Sequence, residues 1–216
     1  MVTNLSHTPS IVDKFIAQMR DVTVQQDSMR FRRNLERLGE VMAYEISKTL
    51  GFEKKEVETP LGIASYHAIK PQIVVGGILR AGLPLHQGLL NYFDDAENAF
   101  ISAYRKHHKD GAFEINLEYV SCPPLSGKVL ILADPMLATG ASMDRTLRAL
   151  LEHGIPSSIH LVTAIASTPG LEYIERLYPK AHVWIGALDE ELTAKSYIVP
   201  GLGDAGDLAF GAKLQD

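Results

Sequence analysis

The sequence holds a single cysteine, Cys122, so no disulfide can form within the chain, and the lone thiol fits a reducing, cytoplasmic setting. Cys122 precedes Pro123-Pro124 with no histidine or second cysteine at ligand spacing, which marks it as incidental. Long apolar runs are missing too: none approaches the roughly 18 residues that a bilayer-spanning helix needs. The polar start Met1-Val-Thr-Asn-Leu-Ser-His has neither a basic stretch nor a long apolar core, so no signal peptide is expected. Positive charge is in deficit. A net charge of −5 gives an overall field that favours neither nucleic acid nor anionic membrane as a partner. An anionic substrate would need local basic groups and a metal. Internal repeats and low-complexity segments are also lacking. With 46% hydrophobic and 22% charged residues, the 216-residue chain reads as one soluble globular domain.

What is present is strand–helix alternation. Phe31, Leu35, Leu38, Met42, Ile46 and Leu50 share one helical face, with Asp27 or Ser28 as N-cap and Gly51 as the expected stop. The opposite face carries Arg30, Arg32, Arg33, Glu36, Arg37 and Glu40, a pattern that suits a solvated surface or a subunit contact. Residues 53–58 and 63–69 alternate around Thr59-Pro60-Leu61-Gly62, which predicts a hairpin. Strands are expected at 72–75, 98–105, 129–133, 158–166 and 182–188, with helices at 83–93, 141–153 and 169–177. A second hairpin arm follows Arg105. Alternation across 72–188 predicts a mostly parallel α/β sheet of about five strands with right-handed crossovers. Helices from 10 to 50 would precede this core, and a tail from 189 to 216 would follow it.

The run Val129-Leu-Ile-Leu-Ala-Asp134-Pro-Met-Leu-Ala-Thr139-Gly-Ala-Ser142 concentrates the chemistry. Its continuous apolar start suits a strand buried on both faces. Asp134 then stands at the strand's carboxyl end, where open α/β sheets collect ligands. By position alone it serves equally well as a helix N-cap. Beyond it, Thr139, Gly140, Ala141 and Ser142 read as a helix N-terminus, where free N–H groups and the helix dipole favour an anion. A carboxylate followed by a phosphate cradle suits a phosphorylated sugar. Near the end, Gly201-Leu-Gly203-Asp-Ala-Gly206 matches the dinucleotide pattern G-x-G-x-x-G. Too little chain follows Gly206 to complete the βαβ unit that the pattern requires, so this reading fails.

The run resembles the phosphoribosyl-pyrophosphate (PRPP) motif of the type I phosphoribosyltransferases, and its Asp-Pro-Met-Leu-Ala-Thr-Gly wording is similar to that of the uracil phosphoribosyltransferases. Tyr197-Ile-Val-Pro-Gly-Leu-Gly-Asp-Ala-Gly-Asp207 resembles that family's uracil-binding tail. Further matches at 30–32, 78–82 and 104–105 spread the resemblance over nearly the whole chain. It implies a type I phosphoribosyltransferase fold with a hairpin arm and a C-terminal hood, and transfer of phosphoribosyl from PRPP to uracil in pyrimidine salvage.

Residue by residue, the resemblance implies that Arg80 and Arg105 bind PRPP, with Arg105 and Asp134 as the catalytic pair. Asp134 and Pro135 lead the PRPP run, Met136, Leu137 and Ala138 continue it, and residues 139–142 take the 5′-phosphate. Backbone groups of Ile198, Gly203 and Ala205 would meet uracil, and Asp204 would reach both base and PRPP. Many relatives have two adjacent acids where this chain has Asp134-Pro135, so no residue is assigned as a direct metal ligand. Mg²⁺ would ride mainly on PRPP oxygens and water. The chain departs from the family at Gly77, where proline is usual, at Ala141, where glycine is usual, and at Leu208, where a basic residue is common. A cytoplasmic homodimer or larger homo-oligomer and a GTP effector are carried over as expectations. The competing readings are a purine acceptor, an RNA-binding regulator that keeps the PRPP site, and a PRPP sensor without catalysis.

Overall fold

The computed structural model describes the backbone of residues 1–107 and 113–212, and the side chains of all of these except 103–107 and 113–117. Strand β1 (Val2–Asn4) leads to helices α1 (Ile11–Arg20) and α2 (Ser28–Ser47), then a hairpin of β2 (Phe52–Thr59) and β3 (Gly62–Ile69). Strand β4 (Ile73–Leu79), helix α3 (Leu83–Leu90), β5 (Glu97–His107) and β6 (Phe113–Ser121) follow. Next come β7 (Val129–Ala133), the short β8 (Met136–Leu137), α4 (Ala141–Leu151), β9 (Ser158–Ser167), α5 (Thr168–Leu177) and β10 (His182–Asp189). The tail forms β11 (Glu191–Leu192), β12 (Ile198–Val199) and helix α6 (Ala205–Phe210).

Among the described residues, eight strands make the central sheet in the order β1-β10-β9-β7-β4-β5-β6, with β8 also on β9. Every pairing is parallel except β5 with β6. The expected mostly parallel sheet is present, but larger than the five or so strands anticipated. β1 is a short polar-looking segment that acquires its strand character only by pairing with β10, and β6 belongs to the predicted arm. The tip of that arm, residues 108–112, lies outside the described residues.

All five residues of β7 are buried, because helices cover both sheet faces. Ile131 and Ala133 pack in the cluster beneath α1, α2 and α3, while Leu130 and Leu132 pack beneath α4 and α5. That two-sided burial is why the run shows no polar alternation. The predicted helical stripe on α2 is buried, with Phe31, Leu35, Leu38, Met42 and Ile46 at most 1% exposed. Asp27 caps it by accepting from the Arg30 N–H. Gly51 is not its stop: the helix ends at Ser47, and a turn stitched by Thr49 Oγ1 to the Ile46 carbonyl completes the exit.

α2 and α3 meet backbone to backbone. A Cβ on Gly39 would lie 2.4 Å from the Leu85 carbonyl oxygen, and one on Gly88 would lie 2.0 Å from that of Glu36. This contact fixes α3, and with it the turn that carries Arg80. The β2–β3 hairpin forms as predicted, with Thr59 opposite Gly62. It stands off the central sheet as its own two-stranded ribbon. Among the described residues no helix is long and apolar enough to cross a membrane.

Candidate active site

Arg80 and Asp134 follow the carboxyl ends of the adjacent strands β4 and β7, Arg105 lies within β5, and the predicted tail residues come after β10. β7 ends at Ala133, and Asp134 follows, with its N–H on the Val162 carbonyl of β9. The N-cap reading of Asp134 is overturned, because the cap of α4 is Gly140 and β8 intervenes. Asp134 is half-buried, and its Oδ1 accepts a long contact from the Met136 N–H at 3.4 Å. Buried Pro135 uses its carbonyl to accept from both Ala164 and Ile165 N–H, which ties the loop to β9.

The segment 138–142 is shaped by the next βα unit. Ser167, at the end of β9, donates to the Ala138 carbonyl at 2.5 Å and caps α5 by accepting from Gly170 N–H. Gly140 has φ +80°, a left-handed conformation that glycine adopts freely. A Cβ there would sit 2.7 Å from Tyr173 Cδ1. Ala141 is not among the positive-φ residues, so its departure from the family pattern brings no strain. With glycine as cap, the first turn of α4 has no side-chain cap, and Thr139 Oγ1 approaches the Ala141 N–H only at 3.4 Å. Free N–H groups at the start of a three-turn helix suit a phosphate.

An acidic residue in that first turn, Asp144, would oppose an anion. Its charge is instead taken up on the far side by Tyr178 at 2.8 Å, Arg148 at 2.9 Å and Tyr173 at 3.3 Å. Burial, and then the bond to Asp144, push the Tyr178 hydroxyl above its usual range, so it stays protonated as a donor.

Gly77 does not lie in a loop. It is a central residue of β4, paired with Phe100 and Ala133, and a Cβ there would press on His86 at 3.3 Å. Burial holds His86 neutral below its ordinary range. Arg80 follows, joined to Leu79 by a cis peptide bond. The turn that carries it abuts β7: a Cβ on Gly82 would lie 2.8 Å from the Ala133 carbonyl oxygen. The Arg80 side chain runs to the tail, with Nη2 3.2 Å from Asp207 Oδ1 and 3.1 Å from the Gly211 carbonyl. The backbone of Arg105 lies in β5 opposite Ile115. Its side chain and those of His107 and His108 lie outside the described residues.

The tail, for which the sequence predicts no helix, contains helix α6. Asp204 caps it by accepting from the Asp207 N–H at 3.0 Å. Ile198 and Ala205 are buried at 4% and 3%, and Gly203, at φ +93°, is exposed. Leu208 packs on the core. Arg32, from the mixed-charge face of α2, donates to the Ala209 carbonyl at 2.5 Å and lies over the Phe210 ring at 5.8 Å. One residue of that face, Arg32, therefore docks the tail.

Sequence reasoning also missed Arg20 and Asp189, which grip Gly201 between them. Asp189 carried the same signal that singled out Asp134, an acid at the carboxyl end of an apolar strand. The structure thus brings Arg80, Asp134, residues 138–142 and the tail to one rim.

Comparison with known proteins points to one family. A family model described as uracil phosphoribosyltransferase matches residues 6–212. A uracil phosphoribosyltransferase from Porphyromonas gingivalis is 51% identical over 99% of both chains. One from Thermococcus gammatolerans is 37% identical over 99% of this chain and 95% of its own. A solved structure of a protein from Aquifex aeolicus superposes with a TM-score of 0.88 at 33% identity, covering 100% of both chains. The departures at Gly77, Ala141 and Leu208 leave the strand, the helix start and the tail intact, and the chain belongs to the uracil phosphoribosyltransferase family.

Proposed function

We propose that this chain transfers the phosphoribosyl group of PRPP to uracil, releasing uridine 5′-monophosphate and pyrophosphate. The observation that carries the reading is Arg80. It stands beside the strand-end carboxylate region and reaches into the tail, so that donor-side and acceptor-side segments share one rim. Residues 139–142 take the 5′-phosphate on the uncapped start of α4, and Asp134 takes the ribose hydroxyls. Pro135, Met136, Leu137 and Ala138 shape the loop between them. Arg80 and Arg105 hold the pyrophosphate, because guanidinium forks stay charged and bind two oxygens at once.

Uracil N1 bonds to the anomeric carbon as the bond to the pyrophosphate oxygen breaks, and the N1 proton leaves to solvent. Positioning and stabilisation of the departing charge supply the rate. Single carboxylates at Asp134 and Asp204 suit Mg²⁺, which keeps waters and is held through substrate phosphates. When bound, it supplies charge neutralisation on the pyrophosphate. In the tail, backbone groups of Ile198, Gly203 and Ala205 read the base, and Asp204 faces both base and PRPP. A fixed carbonyl accepts from uracil N3–H. Cytosine N3 carries no proton and would leave that carbonyl unpaired, at a cost of roughly 1–3 kcal/mol.

We propose a single domain over 1–216 acting in the cytoplasm as a homodimer or larger assembly. The β2–β3 hairpin exposes Val57, Ile63 and Tyr66 by 49%, 74% and 47%. An isolated two-stranded ribbon is marginal in water, so a second copy is its natural cover. An Ile63→Lys variant that sediments as a monomer supports this; an unchanged assembly contradicts it. GTP added to initial-rate assays tests an effector.

The experiment for the activity is a nucleobase panel with PRPP and Mg²⁺, read by pyrophosphate release. Turnover with uracil alone supports the reading. Turnover with guanine or hypoxanthine, or with no base, removes it. Arg105→Ala should lower turnover on the order of 10²-fold; near-wild-type rates at saturating PRPP would take Arg105 out of the site.

A further inference from the structure

The base-reading segment is anchored by an ion pair that lies outside it. Asp189 is the last residue of β10 and is 6% exposed. Arg20, the last residue of α1, meets it fork to fork, with Nη2 2.6 Å from Oδ1 and Nη1 2.7 Å from Oδ2. Gly201 is threaded between the two. Its N–H donates to Asp189 Oδ2 at 2.9 Å, and its carbonyl accepts from Arg20 Nη1 at 2.9 Å. One ion pair therefore fixes both polar groups of a single residue.

Gly201 stands where this grip matters. Its φ is +58°, and a Cβ there would lie 2.1 Å from the Ile198 carbonyl oxygen. The glycine packs directly behind the carbonyl that opens the base-reading segment, across the turn Val199-Pro200. Desolvating a carboxylate this far is costly, and an apolar pair could serve stability as well. What an apolar pair could not do is hold an N–H and a C=O at once. The geometry favours registration over stability.

We infer that the Arg20–Asp189 pair is a positioning device, which acts through Gly201 to set the Ile198 carbonyl and thereby the affinity and selectivity for the base. The inference rests on the reading of Ile198 as a uracil contact. Neither side chain is asked to touch substrate.

The test is bisubstrate initial-rate kinetics on Asp189→Asn, which keeps the side chain's shape and removes the charge. Uracil KM should rise on the order of 10-fold, the effect of one charge-assisted hydrogen bond. PRPP KM should stay within about twofold, and the preference for uracil over cytosine should narrow. Should Asp189→Asn not accumulate as folded protein by circular dichroism, Arg20→Lys keeps the charge, loses the fork and carries the same test at the more exposed end of the pair. Folded variants with unchanged uracil KM overturn the inference, as does an equal rise in both KM values, which a merely structural role would give. Absence of uracil turnover in the wild type overturns the functional reading and this inference with it. Wild-type turnover with an unmoved uracil KM in the variants overturns the inference alone.

Discussion

Residues 134–142 and residues 198–211 line the same rim, yet they are held there by different kinds of contact. The first segment leans on itself and on the next βα unit: Asp134 on Met136, Ala138 on Ser167, Gly140 against Tyr173. The second is held by arginines from the chain's first eighty residues. Arg20 binds Gly201, Arg32 binds Ala209 and Arg80 binds Asp207, across sequence separations of 181, 177 and 127. The segment we propose for the donor is a property of one supersecondary unit, whereas the segment we propose for the acceptor is held in place only when the whole chain has folded. A family can therefore share the first and vary the second.

The largest expected effect that separates the two comes from Gly140→Val. A left-handed φ costs a β-branched residue roughly 1–2 kcal/mol, and the clash with Tyr173 adds to it, so PRPP KM should rise on the order of 10²-fold with uracil KM nearly unmoved. Titration of initial rate against each substrate checks this. Arg32→Ala should do the reverse. Losing a charged donor to the Ala209 carbonyl and the contact over Phe210 should raise uracil KM by about 10-fold, with PRPP KM held.

Asp207→Asn blurs the boundary in an informative way. Its pair with Arg80 is about two-fifths exposed on each side chain, so it is worth about 0.2–1 kcal/mol. Releasing Arg80 from it should lower the Kd for pyrophosphate by up to about fivefold, measured calorimetrically. A weaker Kd would mean that the pair positions Arg80 instead of competing for it.

A third region supplies the control. At the amino ends of β9 and β10, His160 accepts from Trp184 Nε1 at 3.1 Å, and His182 stacks on Trp184 at 4.0 Å. Burial, with His182 beside it, lowers the His160 pKa from the ordinary 6.5 to about 4. The unfolded chain thus takes up a proton before the folded one does. Stability from His160 is complete above about pH 6.5 and is lost as pH falls toward about 4, by up to roughly 1.4 kcal/mol per pH unit. Thermal melts from pH 7 to 4 should show a shallower fall in His160→Gln, with both KM values unchanged at pH 7.

The same contrast explains what the sequence disclosed. The β7 run, the α2 stripe, the first hairpin and the start of α4 at Ala141 were legible because periodicity and turn chemistry are local. β1 was not, since Val2–Asn4 is a strand only by pairing with β10. Nor were the partners of Arg20 and Arg32, because an arginine on a helix face looks the same whether it meets water or a carbonyl far along the chain. The tail residues 198, 203, 204 and 205 were legible by resemblance alone. The burial of Ile198 and Ala205 and the α6 cap at Asp204 depend on a packing that no spacing within the tail encodes.

The most direct test of the two-origin account is a grid of initial rates over both substrates for the wild type, Gly140→Val and Arg32→Ala. The account predicts crossed effects, with PRPP KM rising in the first variant and uracil KM in the second. Parallel rises of both KM values in both variants would show that the two halves are held as one unit and would contradict it.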